Sequence, residues 1–358
     1  MKPTGQLHEL GQSLWLDDIT RDLLDSGTLK RYIDELSVTG LTSNPTIFDH
    51  AITHSPKYDD DTRRLMKAGK SGEALFFELA LSDLSRAADM FLPEHKRTGG
   101  VDGWVSLEVS PLLAHDTAKT VAEAKRLHDS AGKPNLFIKI PGTLEGLPAI
   151  EEAIYSGVSV NVTLLFSRAQ YLAAADAYMR GLERRVPEGK TLDISSVASV
   201  FISRWDRAVV EKVPADLRDK LGVAVGEQVY KTYRDLLDSD RWQILASRGA
   251  RPQRLLFAST SMKDPQAPDT LYVTSLAAPN TVNTMPGPTL LAFAEHGEMK
   301  GPLSRDGGDS EQVLAAHVRA GIDVDGLASK LQVDGASSFV DSWKDLLGAI
   351  EKKTSALS

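Results

Sequence analysis

Lys139 lies inside the run Asn135-Leu136-Phe137-Ile138-Lys139-Ile140, bounded by Lys133-Pro134 before it and Pro141-Gly142 after it. An apolar run of this length between turn residues reads as a buried parallel strand. Burial disfavours the charged form of an amine and lowers its pKa, and an amine that gives up its proton readily is the nucleophile that forms a Schiff base with a carbonyl. The competing reading is a lysine that snorkels to solvent from an edge strand. Other chemistry-bearing residues recur at the ends of apolar runs. Asp17 ends Leu14–Asp17 and Glu108 ends Gly103–Glu108; Asn44 follows Val38–Thr42. Asn161 and Thr163 fall within Val158–Leu164, and Ser199 within Ser195–Val200. Each has a structural alternative: Asp17 as the cap of a helix beginning near Thr20, Asn44 as part of a turn before a helix that starts at Pro45. A lysine, two carboxylates and two amides gathered at strand ends read together as a site for proton transfer around a covalent amine intermediate.

The elements that must position them alternate. Short apolar runs are separated by longer amphipathic helical stretches, the pattern of βα units around a parallel sheet. Besides those already given, candidate strands are Asn135–Ile140, Arg254–Ser259 and Thr281–Met285. Helical stretches include His115–Ala131, Thr143–Tyr155 and Arg168–Arg185, with longer helical inserts at Pro56–Phe91 and Asp216–Ser247. Eight strands without a low-complexity linker predict one (β/α)8 barrel domain over residues 1–358, and in a barrel the strand C-terminal ends converge on the face that carries the active site. An open doubly wound sheet is the alternative, weakened by the lack of a G-x-G-x-x-G turn after any early strand. The tail from about Val313 reads as helices covering the barrel, with Glu351-Lys352-Lys353 fraying into solvent.

Composition narrows the function classes. The 358 residues are 42% hydrophobic and 25% charged, with a net charge of −8. That balance argues against a broad nucleic-acid surface, so an anionic substrate must meet a local positive cluster. With no cysteine in the chain, disulfides, thiolate metal sites and cysteine nucleophiles are excluded. No apolar run approaches membrane-spanning length and the N-terminus has no apolar signal core, so a cytoplasmic protein is expected. Oligomeric state stays open between monomer and homodimer.

Several motifs then resemble one family. GLTSNPTIF (Gly40–Phe48), SLEVSP (Ser106–Pro111), FIKIPGT (Phe137–Thr143) and VNVTLLFS (Val160–Ser167) look like the signatures of transaldolase, in the matching order and spacing. The resemblance continues through ASVFISRWD (Ala198–Asp206) and LLFAST (Leu255–Thr260), and TVNTMP (Thr281–Pro286) resembles the longer actinobacterial- and cyanobacterial-type branch.

The resemblance implies a metal-free, cofactor-free transfer of a three-carbon dihydroxyacetone unit between sugar phosphates. Lys139 matches the residue that forms the iminium, Glu108 the residue that assists its proton transfers through a water, and Asp17 the base at the C4 hydroxyl. Thr163 matches the residue that positions the catalytic water, and Asn44, Asn161 and Ser199 match residues that hold the hydroxyls of the three-carbon unit. Arg204 matches a phosphate-binding arginine. Where better-known members carry a second arginine, this chain has Ser261, with Lys263 two residues on, and the pair is expected to share the role. Fructose-6-phosphate aldolase, which shares the fold and the lysine, is the close alternative. Phe201 speaks against it, because such relatives tend to carry a polar side chain there. A non-catalytic sugar-phosphate-binding barrel is the alternative from another class.

Overall fold

A computed structural model describes residues 1–358. Its centre is a closed, all-parallel barrel of eight strands in sequence order. The strands are β1 (Gln12–Asp17), β2 (Val38–Thr42), β3 (Trp104–Glu108), β4 (Leu136–Pro141), β5 (Val160–Leu165), β6 (Ser196–Phe201), β7 (Gln253–Ala258) and β8 (Thr281–Met285). β8 closes onto β1, with Thr281 opposite Gln12 and Met285 opposite Leu16. Nearly every strand residue is buried, because one face packs into the barrel and the other lies under the helices. Those two buried faces explain why the strands read as continuous apolar runs.

Register sets the site. Across β3 and β4, Glu108 stands opposite Lys139; across β4 and β5, Lys139 stands opposite Asn161 and Pro141 opposite Thr163. Opposed residues on parallel neighbours point to the same face about 5 Å apart, so three functional side chains form one row inside the barrel mouth. Asp17 and Thr42 are paired in the same way across β1 and β2. Beyond Val162 the pairing with β6 slips, and Leu164 takes a left-handed φ of 60°. Gly40 of β2 is required by close approach, since a Cβ there would lie 2.5 Å from Trp15 Nε1.

The helices begin where the sequence supplies side-chain acceptors. Thr20 caps Arg21–Asp25 by accepting from Leu23 N, so Asp17 is not that cap. Asn44 caps Pro45–His54, its Oδ1 accepting from Ile47 N at 3.1 Å, with Pro45 in the first turn. The insert expected over Pro56–Phe91 divides into a short 3₁₀ turn, Asp59–Lys67 and Gly72–Arg97. The last of these runs past Pro93, its end held where His95 packs edge-on against Trp104 at 4.7 Å.

The C-terminal helix, Val324–Leu357, does not fray at Glu351-Lys352-Lys353 as its charges suggested. Lys353 Nζ donates to Ile52 O and Ser55 O at 2.9 and 3.0 Å and pairs with Asp59 at 2.7 Å. Those oxygens give the ammonium a better environment than solvent fraying, and the helix continues to Leu357. Earlier in the same helix, Trp343 is buried edge-on against Phe76 at 5.0 Å; truncating such an aromatic costs about 3–5 kcal/mol. No helix is long and apolar enough to cross a membrane.

At the N-terminal end of the barrel a separate polar network is closed. Asp102 accepts from Ser13 Oγ, from Trp15 Nε1 at 2.9 Å and from Gly103 N at 3.1 Å. Arg254 donates to Ser13 Oγ at 2.6 Å, Thr281 O at 2.8 Å and Val101 O at 3.0 Å.

Candidate active site

A cavity of about 470 Å³ opens at the C-terminal mouth of the barrel, and Lys139 forms part of its floor. Lys139 is 6% exposed; its Nζ donates to Ser43 O at 3.1 Å and lies 3.3 Å from Glu108 Oε2. The separation from Glu108 is an ion-pair distance without hydrogen-bond alignment, and Oε2 has no other partner. Lys139 is therefore not an edge lysine reaching into solvent. Burial lifts the Glu108 carboxyl above its ordinary range, while the lysine charge pulls in the opposite direction.

Asp17 lies across the mouth and accepts from Thr42 Oγ1 at 2.9 Å. Burial raises its proton affinity as well, partly offset by Lys139 and by the threonine hydrogen bond. Two carboxylates whose proton affinity burial raises flank one amine, an arrangement of groups able to accept and return protons.

The amides and hydroxyls close the row. Ser199 Oγ donates to Asn161 Oδ1 at 2.7 Å, and Asn161 Nδ2 donates to Ser106 Oγ at 3.2 Å, so the amide is fixed in one orientation. Asn161 lies beneath the cavity surface, whereas Ser199 and Thr163 reach it. Thr163 Oγ1 is buried without a partner in the protein. Asn44 also lines the cavity; its oxygen serves the helix cap, and Nδ2 has no protein partner. Capping and lining are both true of this residue, so the two sequence readings do not compete.

At the far side stands Arg204. It sits on the helix Ser203–Val209, immediately after β6. Its guanidinium lies 5.0 Å above the Phe201 ring and pairs with no carboxylate. Partial burial lowers its proton affinity, and Arg207 acts in the same direction. An arginine held between apolar rings without a counter-ion is suited to an incoming anion. Ser261 and Lys263 line the same cavity, Ser261 half-buried and Lys263 exposed, after the left-handed Ser259 at the end of β7.

The residues singled out in the sequence are thus brought to one mouth, with Glu108 and Asn161 just below its surface. Sequence reasoning missed Thr42, which holds Asp17, and Ser338 and Phe339, which come from the C-terminal helix and complete the wall. The only local signal for the latter was the small pair Gly335-Ala336, which permits close helix approach.

The family described as Transaldolase/Fructose-6-phosphate aldolase matches residues 14–350. The chain belongs to that family. Transaldolase from Arthrobacter sp. (strain FB24) is 45% identical, over 98% of this chain and 96% of its own length. Transaldolase from Thermobifida fusca is 45% identical over 99% of both chains. "Transaldolase 2" of Nostoc sp. is 38% identical over 99% of this chain and 98% of its own. The protein is accordingly an enzyme of the transaldolase type.

Proposed function

We propose that the protein transfers a dihydroxyacetone unit from sedoheptulose 7-phosphate to glyceraldehyde 3-phosphate, giving erythrose 4-phosphate and fructose 6-phosphate reversibly, through a Schiff base on Lys139. Such a step belongs to the non-oxidative pentose phosphate pathway. The observation that carries this reading is the buried Lys139 amine, held between Ser43 O and Glu108 in a row with Asn161 and facing Asp17.

Lys139 must lose a proton before it attacks the ketose carbonyl. Glu108, whose proton affinity is raised by burial, accepts that proton and returns it, through a water, to the departing hydroxyl of the carbinolamine. Thr163 Oγ1, without a protein partner, is free to orient that water. With the iminium formed, Asp17 removes the C4 hydroxyl proton, the C3–C4 bond breaks, and the electron pair passes to the iminium nitrogen. The aldose phosphate leaves and an enamine remains. Attack of the enamine carbon on the acceptor aldehyde, with Asp17 returning its proton to the new hydroxyl, reverses these steps; hydrolysis then frees the lysine. Asn44, Asn161 and Ser199 hold the hydroxyls of the three-carbon unit, and Arg204, Ser261 and Lys263 receive the phosphate.

Fructose-6-phosphate aldolase activity is the second reading. Phe201 weighs against it, because the ring is buried under Arg204 and offers no hydroxyl to a water at the iminium. A product assay separates the two. With fructose 6-phosphate and erythrose 4-phosphate, a transferase makes sedoheptulose 7-phosphate; with fructose 6-phosphate alone, an aldolase steadily releases free dihydroxyacetone. Release at the same rate with and without erythrose 4-phosphate would overturn the transferase reading.

A further inference from the structure

The C-terminal helix is clamped onto the barrel mouth at points that have no part in the proposed chemistry. Gln332 Nε2 donates to Leu164 O at 2.9 Å and to Gly142 O at 3.0 Å, tying the helix to the irregular end of β5 and the turn after β4. Gly335 sits so close that a Cβ there would lie 3.0 Å from Leu164 Cδ2 and 3.1 Å from Arg204 Nη1. Thr46 Oγ1 donates to Ser342 Oγ at 2.8 Å on the other side of the mouth. Between these clamps Phe339 faces the cavity at 8% exposure. Its ring centroid is 5.9 Å from Lys139 Nζ and 5.9 Å from Arg204 Cζ.

One apolar ring therefore stands beside both ends of the site, the amine and the arginine. Both distances are at the outer limit of a cation–π contact, so direct attraction is a minor part of what the ring does. Its larger effect is to occupy space that water would otherwise fill. We infer that Phe339 is a positioning residue that shields the Lys139-bound three-carbon unit from water, and so sets how much of it is transferred and how much is lost by hydrolysis. Hydrolytic loss runs through the iminium. The enamine carbon takes a proton to give the iminium of dihydroxyacetone. Water adds to the iminium carbon, the carbon–nitrogen bond breaks, lysine leaves as the amine, and the water oxygen becomes the ketone oxygen. A shield slows both protonation of the enamine carbon and attack of water on the iminium carbon; an acceptor aldehyde bound in the cavity reaches the enamine carbon after displacing solvent there.

This inference rests on the Schiff-base reading, and the test keeps the two apart. Wild type, Phe339→Ala and Phe339→Leu are each given fructose 6-phosphate, with and without erythrose 4-phosphate, and free dihydroxyacetone and sedoheptulose 7-phosphate are measured. Phe339→Ala should raise the ratio of dihydroxyacetone released to heptulose formed by about tenfold or more, as expected when water gains access to a reactive intermediate. Phe339→Leu keeps an apolar cover and should stay within about threefold of wild type. A ring that merely anchors the helix predicts a different result: both products fall together and the ratio stays constant. If Phe339→Ala does not fold, Phe339→Ser and Phe339→Val replace it, and the ratio should rise with Ser and not with Val. An unchanged ratio in the open variants overturns the inference while leaving the Schiff base intact. Failure of borohydride to trap fructose 6-phosphate on wild-type Lys139 overturns the underlying reading instead.

Discussion

Two buried polar clusters at opposite ends of this barrel, the Asp102–Arg254 network and the group around Lys139, differ in how far their hydrogen bonds are complete. At the N-terminal end, Asp102 and Arg254 share Ser13, and their remaining bonds go to Trp15, Gly103, Thr281 and Val101. At the C-terminal end, Thr163 Oγ1 has no partner, Glu108 Oε2 has only a loosely aligned ammonium, and Arg204 has no counter-ion. A buried polar group with its hydrogen bonds complete stabilises and specifies the fold, whereas one left incomplete costs free energy that a bound reactant can recover. The difference shows how one barrel can carry both a self-satisfied network and a cluster left open to a ligand.

The largest loss is expected at Lys139. Lys139→Arg should fold normally yet turn over below about 10⁻⁴ of wild type, because a guanidinium keeps its proton and cannot attack a carbonyl. Melting temperature and transfer rate, measured on the same sample, check this. Asp17→Asn and Glu108→Gln should each lose on the order of 10²–10⁴-fold in turnover, by different routes. The first should accumulate the covalent ketose adduct because carbon–carbon cleavage stops; the second should form that adduct slowly. Rapid-quench trapping distinguishes them, and near-normal transfer by Asp17→Asn would remove its role as base.

Smaller effects sharpen the contrast. Arg204→Ala should raise KM for fructose 6-phosphate by roughly 10–100-fold through loss of a charge-assisted contact, and kcat should fall too, since phosphate binding positions the reacting carbon. Lys263→Ala should do less, an exposed flexible ammonium being poorly pre-organised. Asp102→Ala should show the opposite pattern. Stability should drop by about 1–3 kcal/mol for each buried donor left unpaired, with kcat of the folded fraction unchanged, as denaturant titration and assay together would show. The smallest change is expected from Thr42→Val. Asp17 must be ionised to act as base; burial raises its pKa and the Thr42 hydrogen bond lowers it. Removing the hydroxyl raises it further, so the acid limb of the kcat profile should move to higher pH, and a shift to lower pH would contradict this assignment.

Much of this was legible because strand ends and registers are local. The runs around Asp17, Glu108 and Lys139 were bounded by turn residues, and a parallel barrel brings such ends together whatever its helices do. Val38–Thr42 and Thr281–Met285 emerged with their predicted limits. What was not legible depends on distant chain. Phe339 reaches the cavity only because the last helix crosses the mouth, and nothing in an amphipathic tail says which face it docks. Lys353 looked like fraying charge because its acceptors, Ile52 O, Ser55 O and Asp59, lie far away in sequence. The short helix that carries Arg204 was not legible either, since no side chain caps its start.

The most direct test is reduction of the enzyme with borohydride in the presence of fructose 6-phosphate, followed by peptide mass mapping. The expected result is one stable adduct carrying the substrate-derived carbon skeleton on the peptide that contains Lys139, absent without the sugar phosphate and absent in Lys139→Arg. An adduct on any other lysine, or none at all in protein that is turning over, would contradict it.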